Sequence, residues 1–495
     1  MAKPDWDATP ADELPRLVDR RLSRQVRFQL YPYGAFYRRV LDEAGISAEG
    51  FSGIADLLKL PLVDRGLIAG LQDEFLLIPS GALIQRWGSG RQLSEQMMER
   101  LLRGVESADK QLRHEYEPVH TLETTGSSGE PLQIAVTRRD LAVLGTQGRR
   151  MLEVAGVSAA DSMINLLDPS SAGGFWPVWL GAVALGVRQL APGFLQPEQA
   201  AALIRRAGPS VLVMHPDDVI PIFGEATEAG SSSVGTLILG PAPLGSIGKK
   251  RTLEAVGSGV RVLATYGFAE GRTLWAECAE GAGQPDAGFH LSPDMELIEM
   301  ISLRTQAAVK TGEPGEIVFT GLDQRGTALA RYRPGDVAIG GFRHGRCPYC
   351  RRSVGRLIGP IRRAENLIEL QLAGHDRTTI DVETLADALS HPAVAEWQVE
   401  VGKADGDSRA PDELFVLFKA RSGADPGRLA VELDRIIRTE VGLTPTQFVQ
   451  TDRAAGGVLD LRPVRVEDRR PPVPSGGNGG GEEAPLVRLW RPPPS

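Results

Sequence analysis

Short apolar runs alternate with helix-like stretches over residues 122–264, and this alternation leaves few folds open to the chain. Gln196–Arg206 and Lys249–Val256 are two of the helix-like stretches. The strand-like segments are Met163–Leu167, Val187–Leu190, Val211–Met214, Thr236–Leu239 and Val260–Ala264. Strands that alternate with helices form mostly parallel sheets covered by helices. We therefore predict an α/β fold for this region.

The pattern changes twice further along the chain. Over residues 290–339 it becomes strand and turn, as in Glu296–Ile301, which predicts a small β subdomain. Residues 378–470 indicate a separate α+β unit. A chain of 495 residues is too long for one ordinary core. We expect a large N-terminal domain over residues 1–362, a small mobile domain over 363–470, and a tail, 471–495, too rich in Pro and Gly to order itself.

Composition excludes several classes of protein. A net charge of −8 and a pI near 5.6 argue against a nucleic-acid partner, because such binders neutralise phosphates with basic residues. No uninterrupted apolar run of about 18 residues occurs, so no membrane span is expected. The N-terminus is polar and acidic, unlike a signal peptide, and three cysteines cannot form a closed disulfide framework. These features predict a cytoplasmic protein.

Three short motifs carry the chemistry of this chain. The loop Thr124–Pro131 (TTGSSGEP) offers hydroxyls and flexible backbone N–H groups that can wrap around phosphate oxygens. The segment Tyr266–Gly271 (YGFAEG) pairs an aromatic ring with a carboxylate just after a predicted strand. In Arg331–Asp336 (RYRPGD) an acid follows a turn. Open α/β sheets place ligands at the carboxyl ends of their strands, so these groups suit a nucleotide site.

In their order and separations the motifs resemble those of the AMP-forming acyl-CoA ligases, specifically the phenylacetate–CoA ligase branch, over roughly residues 50–470. The resemblance implies an ATP site with Mg²⁺. Glu270 would hold the metal ion, Tyr266 would stack on adenine, and Asp336 would accept hydrogen bonds from the ribose. The other nucleotide-binding positions implied by the resemblance are Thr124, Thr125, Ser127 and Ser128 at the phosphates, Gly240, Pro241, Ala242 and Gly267 at adenine, and Arg363 at the ribose.

The C-terminal part departs from the family pattern. The hinge motif is altered to Arg363-Ala364-Glu365-Asn366, and Arg462 stands where the family places a catalytic lysine. No lysine follows Lys419, so no realignment supplies one. Three interpretations remain open. Arg462 performs the role of the lysine, or another group performs it, or adenylation is slow and the protein serves a different reaction step. Arginine keeps the charge but is a larger, planar group.

The cysteines form a second constellation with one histidine. Cys278, His290, Cys347 and Cys350 use every cysteine of the chain and match the ligand types of structural zinc sites. Some members of the branch carry such a site. Two alternatives are ordinary reduced cysteines and a redox pair at Cys347-Pro348-Tyr349-Cys350. The redox role requires a helix after the first cysteine, and the residues that follow are poor helix formers.

The predicted function is activation of a carboxylic acid by ATP. The acid would form an acyl-adenylate and pyrophosphate, and a thiol, either coenzyme A or a carrier-protein phosphopantetheine, would then displace AMP. Asn165–Trp179, rich in Gly and aromatic residues, would line the acyl pocket together with Tyr266–Gly271, which suits an aromatic or compact apolar acid. The alternatives are an altered acceptor such as an amine, and a protein that only binds nucleotide or acyl groups.

Overall fold

The computed structural model describes most of the chain, and its contacts divide into two compact units. One unit comprises residues 1–244 and 251–361, and the other comprises 245–250 and 362–495. No helix among the described residues is both long and apolar enough to cross a membrane. The described residues are 6–10, 12–80, 82–83, 86, 98, 101, 114–124, 131–170, 173–226, 233–242, 246–372, 378–403, 410–450, 466–468 and 489–490.

The first unit begins with short helices. They are α1 (Leu14–Gln25), α2 (Tyr31–Tyr33), α3 (Ala35–Glu43), α4 (Ile54–Leu57) and α5 (Arg65–Gly70), with a π-helical turn at Val26–Leu30 and a 3-10 turn at Gln72–Phe75. Their apolar faces are buried in one core, which includes Tyr37 and Phe75. The Asp64 side chain starts α5 by accepting a hydrogen bond from the Leu67 N–H at 2.8 Å.

An antiparallel hairpin follows. It consists of β1 (Pro118–Thr124) and β2 (Leu132–Thr137), and Thr124 is paired with Leu132 at its closed end. Helix α6 (Arg138–Val154) then starts with a capping box between Thr137 and Asp140. The Ser/Gly loop motif therefore connects two paired strands.

The predicted parallel sheet is confirmed. Six strands lie in the order β4-β3-β5-β6-β7-β8, parallel except for β8, which is antiparallel to β7. The strands are β3 (Ser162–Asn165), β4 (Arg188–Leu190), β5 (Val211–Met214), β6 (Thr236–Leu239), β7 (Arg261–Phe268) and β8 (Thr273–Ala276). The helices along this region are α7 (Phe175–Leu185), α8 (Pro197–Ala207), α9 (Pro216–Ala226) and α10 (Ser246–Val256). Every residue of β5 and β6 is buried, in agreement with their mostly apolar sequences.

The predicted β subdomain is also present in the first unit. Strands β10, β11 and β12 pair antiparallel in that order, and β13, β14 and β9 form a second small sheet. The strands are β9 (Phe289–His290), β10 (Glu296–Ile301), β11 (Gly315–Gly321), β12 (Asp336–Ala338), β13 (Phe342–Arg343), β14 (Arg356–Leu357) and β15 (Ile361–Arg363), the last at the boundary of the two units.

The second unit has the predicted α+β character. A sheet of order β20-β19-β18-β21-β22 packs against two helices around buried Trp397, Phe418 and Leu433. Its elements are β16 (Leu367–Leu370), β17 (Thr378–Asp381), α11 (Val382–Leu389), β18 (Val394–Lys403), β19 (Asp412–Ala420), α12 (Pro426–Ile436), a π-helical turn at Ile437–Val441, β20 (Gln447–Gln450), β21 (Val466–Asp468) and β22 (Leu489–Trp490). Strand β22 lies in the predicted tail and pairs with β21.

Candidate functional site

The predicted adenine-side residues lie at the carboxyl edge of the parallel sheet. Gly240, Pro241 and Ala242 follow β6 directly, and the Gly240 N–H donates to the Met214 carbonyl at 2.8 Å. Tyr266 and Gly267 lie in the neighbouring strand β7. A Cβ at Gly267 would lie 2.2 Å from the Thr273 carbonyl oxygen, so the pairing of β7 with β8 requires glycine there. Parallel strands that end side by side bring both segments to one edge.

Tyr266 and Asp336, which are far apart in sequence, are in direct contact. The Tyr266 hydroxyl donates to Asp336 Oδ2 at 2.9 Å, and both residues are buried, at 8% and 7% exposure. The Tyr266 ring centroid lies 5.6 Å from that of Trp275 and 5.8 Å from that of Phe289. The fold thus joins the predicted adenine-binding ring to the predicted ribose acceptor and holds the ring within an aromatic cluster.

Glu270 lies in the four-residue turn between β7 and β8. Arg272, at the end of this turn, donates to the Thr327 carbonyl at 2.6 Å and to the Ala135 carbonyl at 3.2 Å. A Cβ at Gly271 would lie 2.4 Å from the Phe268 ring, so only glycine fits next to Glu270. These contacts fix the backbone that carries the Glu270 carboxylate.

Arg65 connects two of the predicted site residues. Its Nη1 lies 3.2 Å from Glu270 Oε1 and also donates to Thr124 Oγ1. The Leu132 N–H donates to the same Thr124 oxygen at 3.2 Å. Because a hydroxyl has two acceptor lone pairs, Thr124 keeps its own O–H to donate to a ligand. Thr125, Ser127 and Ser128 lie outside the described residues.

Arg65 was not predicted from the sequence as a site residue, although its position at the start of a helix is unusual for a cation. Arg65 is the first residue of α5. The N-terminal end of a helix dipole is positive and favours acidic side chains, so a cation there is electrostatically disfavoured. A residue that breaks this preference is a candidate for a functional role.

One largely buried ion pair and several hydrogen bonds to backbone groups anchor the R-Y-R-P-G-D segment that carries Asp336. Arg331 Nη2 lies 3.0 Å from Glu299 Oε1, and Arg331 Nη1 donates to the Leu60 carbonyl at 2.6 Å. The Val63 N–H donates to the Arg331 carbonyl at 2.9 Å, and the Arg333 N–H donates to the Val63 carbonyl at 2.7 Å. The segment just before α5 is therefore paired with the segment just before Asp336.

The predicted hinge residues belong to the second unit. Arg363 ends β15 and is exposed, and a 3-10 turn, Ala364–Asn366, follows. Its neighbour Arg362 is buried and forms an ion pair with Asp381. Burial, and then the charge of Asp381, raise the pKa of Glu383 to about 7. Arg462 lies outside the described residues.

Cys278, His290, Cys347 and Cys350 converge, as the sequence predicts. Their ligand atoms all lie within 4.8 Å of one another. The Sγ atoms of Cys278 and Cys347 are 3.9 Å apart, too far for a disulfide, and Cys350 Sγ lies 3.2 Å from His290 Nε2. His290 Nδ1 is 3.2 Å from the Gly288 carbonyl, which orients Nε2 toward the thiols.

The local structure favours metal binding over redox chemistry at this cluster. Cys347 is followed by a turn, and no helix starts among the described residues 347–355. A redox pair depends on a helix N-terminus to stabilise its thiolate. The neighbouring Cys278 and Cys350, together with His290, lower the pKa of Cys347, whereas Cys347 and Cys350 raise the pKa of Cys278, so the thiolate is favoured at Cys347. Three thiols and one imidazole nitrogen match the donor set of a closed tetrahedral zinc site.

Comparisons of the sequence with known proteins point to the same class of enzyme as the motifs. No family model matches the chain. It is 26% identical over 488 residues to a phenylacetate–coenzyme A ligase of Thermus thermophilus, covering 93% of this chain and 100% of that protein. It is 25% identical over 474 residues to the Aromatoleum evansii phenylacetate–coenzyme A ligase, covering 93% and 95% of the two chains.

A solved structure has the same fold over most of its length. The crystal structure of 2-hydroxyisobutyryl-CoA ligase in the postadenylation state, in complex with 2-HIB-AMP, matches with a TM-score of 0.68 and 19% identity, over 94% of this chain and 92% of that one. The fold is therefore that of the adenylate-forming acid–CoA ligases. With the sequence similarity over nearly the whole chain, the predicted resemblance is confirmed. The chain is thus similar in sequence to phenylacetate–coenzyme A ligases over nearly its whole length, and it has the fold of the adenylate-forming acid–CoA ligases.

Proposed function

We propose that this protein is an ATP-dependent, AMP-forming acid–thiol ligase. One observation carries the proposal: the Tyr266–Asp336 hydrogen bond of 2.9 Å and the Arg65–Glu270 contact of 3.2 Å lie within the unit that contains the carboxyl edge of the parallel sheet. The Tyr266 ring, the Asp336 carboxylate proposed for the ribose and the Glu270 carboxylate proposed for Mg²⁺ therefore all belong to this one unit. The named relatives are phenylacetate–coenzyme A ligases.

In the first half-reaction the carboxylate of the acid attacks the α-phosphorus of ATP. Asp336 accepts hydrogen bonds from the ribose hydroxyls, and Thr124 donates its O–H to a phosphate oxygen. Magnesium held by Glu270 would offset the charge of the phosphate oxygens. In the second half-reaction a thiol, which we propose to be that of coenzyme A or a carrier-protein phosphopantetheine, attacks the acyl carbon and releases AMP.

We propose that the acid is aromatic or compact and apolar. The described part of the predicted acyl segment contains Trp176 and Trp179, whose ring centroids are 6.3 Å apart. The His120 ring of β1 lies 5.0 Å from the Trp176 ring. Aromatic side chains grouped in this way favour a flat or compact apolar acyl group.

The test is acid-dependent pyrophosphate release across a panel of aryl and short acyl acids, with and without coenzyme A. At least one acid should raise the rate well above the acid-free rate, and coenzyme A should then give continuous turnover. Release that no acid stimulates, from a protein that binds ATP, would favour a nucleotide-binding role instead.

A second candidate follows from the absence of any lysine after Lys419. A divergent enzyme could pass the acyl group to an amine, or only bind nucleotide and acyl groups. If Arg462 replaces the lysine, Arg462→Ala should abolish acyl-adenylate formation and leave ATP affinity nearly unchanged, because the charge acts mainly in the transition state. Arg462→Lys should retain the rate. If both variants match the parent protein, Arg462 is not catalytic.

The cysteine cluster is proposed to bind one structural zinc ion per chain through Cys278, His290, Cys347 and Cys350. The convergence of the four ligand atoms and the hydrogen-bonded His290 support this assignment. Metal analysis of protein purified without a His tag should find one zinc ion per protein chain. Metal-free protein with unchanged melting behaviour would exclude it.

A further inference from the structure

We propose that Arg65 contacts the β- and γ-phosphates of ATP and stabilises the pyrophosphate that leaves during adenylation. The inference rests on the proposed function, since it assigns a residue to that reaction. The Arg65 guanidinium lies between Thr124, where the Ser/Gly loop starts, and Glu270. Thr124 begins the proposed phosphate loop, and Glu270 is the carboxylate proposed for Mg²⁺. The Arg65 cation, which contacts both, therefore lies beside the position proposed for the ATP phosphates.

The protein backbone holds Arg65 in this position. Asp64 caps α5, and Val63 forms backbone hydrogen bonds of 2.9 and 2.7 Å with Arg331 and Arg333. The Arg65 side chain is 27% exposed, whereas Arg331 and Arg272 are buried and donate to backbone carbonyls that they hold in place. The backbone at Arg65 is therefore held in place, while its side chain stays partly exposed.

The charge balance of adenylation explains what such a cation does. A carboxylate oxygen forms a bond to the α-phosphorus while the bond from the α-phosphorus to the bridging oxygen breaks. The electron pair of the broken bond leaves with pyrophosphate, and no proton is transferred. Negative charge grows on the departing group, and an arginine, which stays protonated, can donate two parallel hydrogen bonds to its oxygens.

The proposal predicts a difference between two nucleotides. AMP lacks the β- and γ-phosphates, so Arg65→Gln should leave AMP affinity unchanged and weaken ATP affinity roughly ten- to a hundredfold, the effect of one lost hydrogen bond between charged groups. Arg65→Lys keeps the charge but not the planar fork, so its ATP affinity should lie between those of the parent protein and of Arg65→Gln.

Calorimetry with ATP and AMP on the full chain tests this. Arg39→Gln is a matched control, because Arg39 pairs with Glu74 at 2.5 Å on the surface of the same unit and should change neither affinity. The ratio of the two affinities within one variant is insensitive to loss of folded protein. If Arg65→Gln leaves the ratio of the ATP and AMP affinities unchanged, the assignment of Arg65 is overturned and the proposed function remains intact. A parent protein that binds neither nucleotide would overturn both.

Discussion

Replacing Asp336 by alanine should weaken nucleotide binding by an amount that the structure lets us anticipate. Asp336 Oδ2 accepts a hydrogen bond from the Tyr266 hydroxyl at 2.9 Å, and the carboxylate is buried at 7% exposure. The proposed ribose contact is a hydrogen bond to a charged group, which is typically worth about 1.5–3 kcal/mol. Asp336→Ala should therefore raise the dissociation constants of ATP and AMP roughly ten- to 150-fold.

The same substitution affects the fold, and a second variant separates the two effects. Asp336→Ala removes a partner of the buried Tyr266 hydroxyl, which should cost about 1–3 kcal/mol of unfolding free energy. The double variant Tyr266→Phe/Asp336→Ala carries no such hydroxyl and should regain much of that stability. Its nucleotide affinity should stay low, because the ribose acceptor is still missing.

Calorimetry with AMP and 2′,3′-dideoxy-AMP isolates the ribose contact. The parent protein should bind the dideoxy nucleotide about as weakly as Asp336→Ala binds AMP, and Asp336→Ala should lose little more when the hydroxyls are removed. If fully folded Asp336→Ala binds AMP with unchanged affinity, the assignment of Asp336 to the ribose is refuted.

Two further predictions concern stability. Burial raises the pKa of Glu296 from 4.5 to about 7, so its stabilising contribution is complete below pH 4.5 and is lost as the pH rises through 7. The unfolding free energy should therefore fall by on the order of 3 kcal/mol across this window, and denaturant titrations of Glu296→Gln should show a flatter pH profile. Cys347→Ser should lower the melting temperature by several degrees and reduce bound zinc, while ATP affinity changes less. Equal loss of stability and affinity would indicate that the cluster also shapes the nucleotide site.

The sequence predicted the fold well because the local signals agree with the tertiary structure. The strands Val211–Met214, Thr236–Leu239 and Glu296–Ile301 have the predicted bounds. The central strands Val211–Met214 and Thr236–Leu239 are buried on both faces, which agrees with their mostly apolar sequences. The convergence of Cys278, His290, Cys347 and Cys350 was predicted from their ligand chemistry and from the family resemblance.

Contacts between distant segments could not be predicted in this way. Arg65 and Glu270 are 205 residues apart, and only the folded chain brings them to 3.2 Å. The hydrogen bond from Trp275 to Glu296, 2.8 Å long, likewise depends on how two sheets pack. A single sequence records which groups are present, whereas their partners depend on side-chain packing across elements.

The most direct test of the proposed function is an isotope transfer. Acid labelled with ¹⁸O in its carboxylate is incubated with the protein, ATP, Mg²⁺ and coenzyme A, starting with phenylacetate and then the other acids of the panel. Attack of the carboxylate on the α-phosphorus places one labelled oxygen in the AMP released, which mass spectrometry detects. We expect singly labelled AMP together with acyl-CoA. Unlabelled AMP, or label in inorganic phosphate, would contradict an acyl-adenylate mechanism.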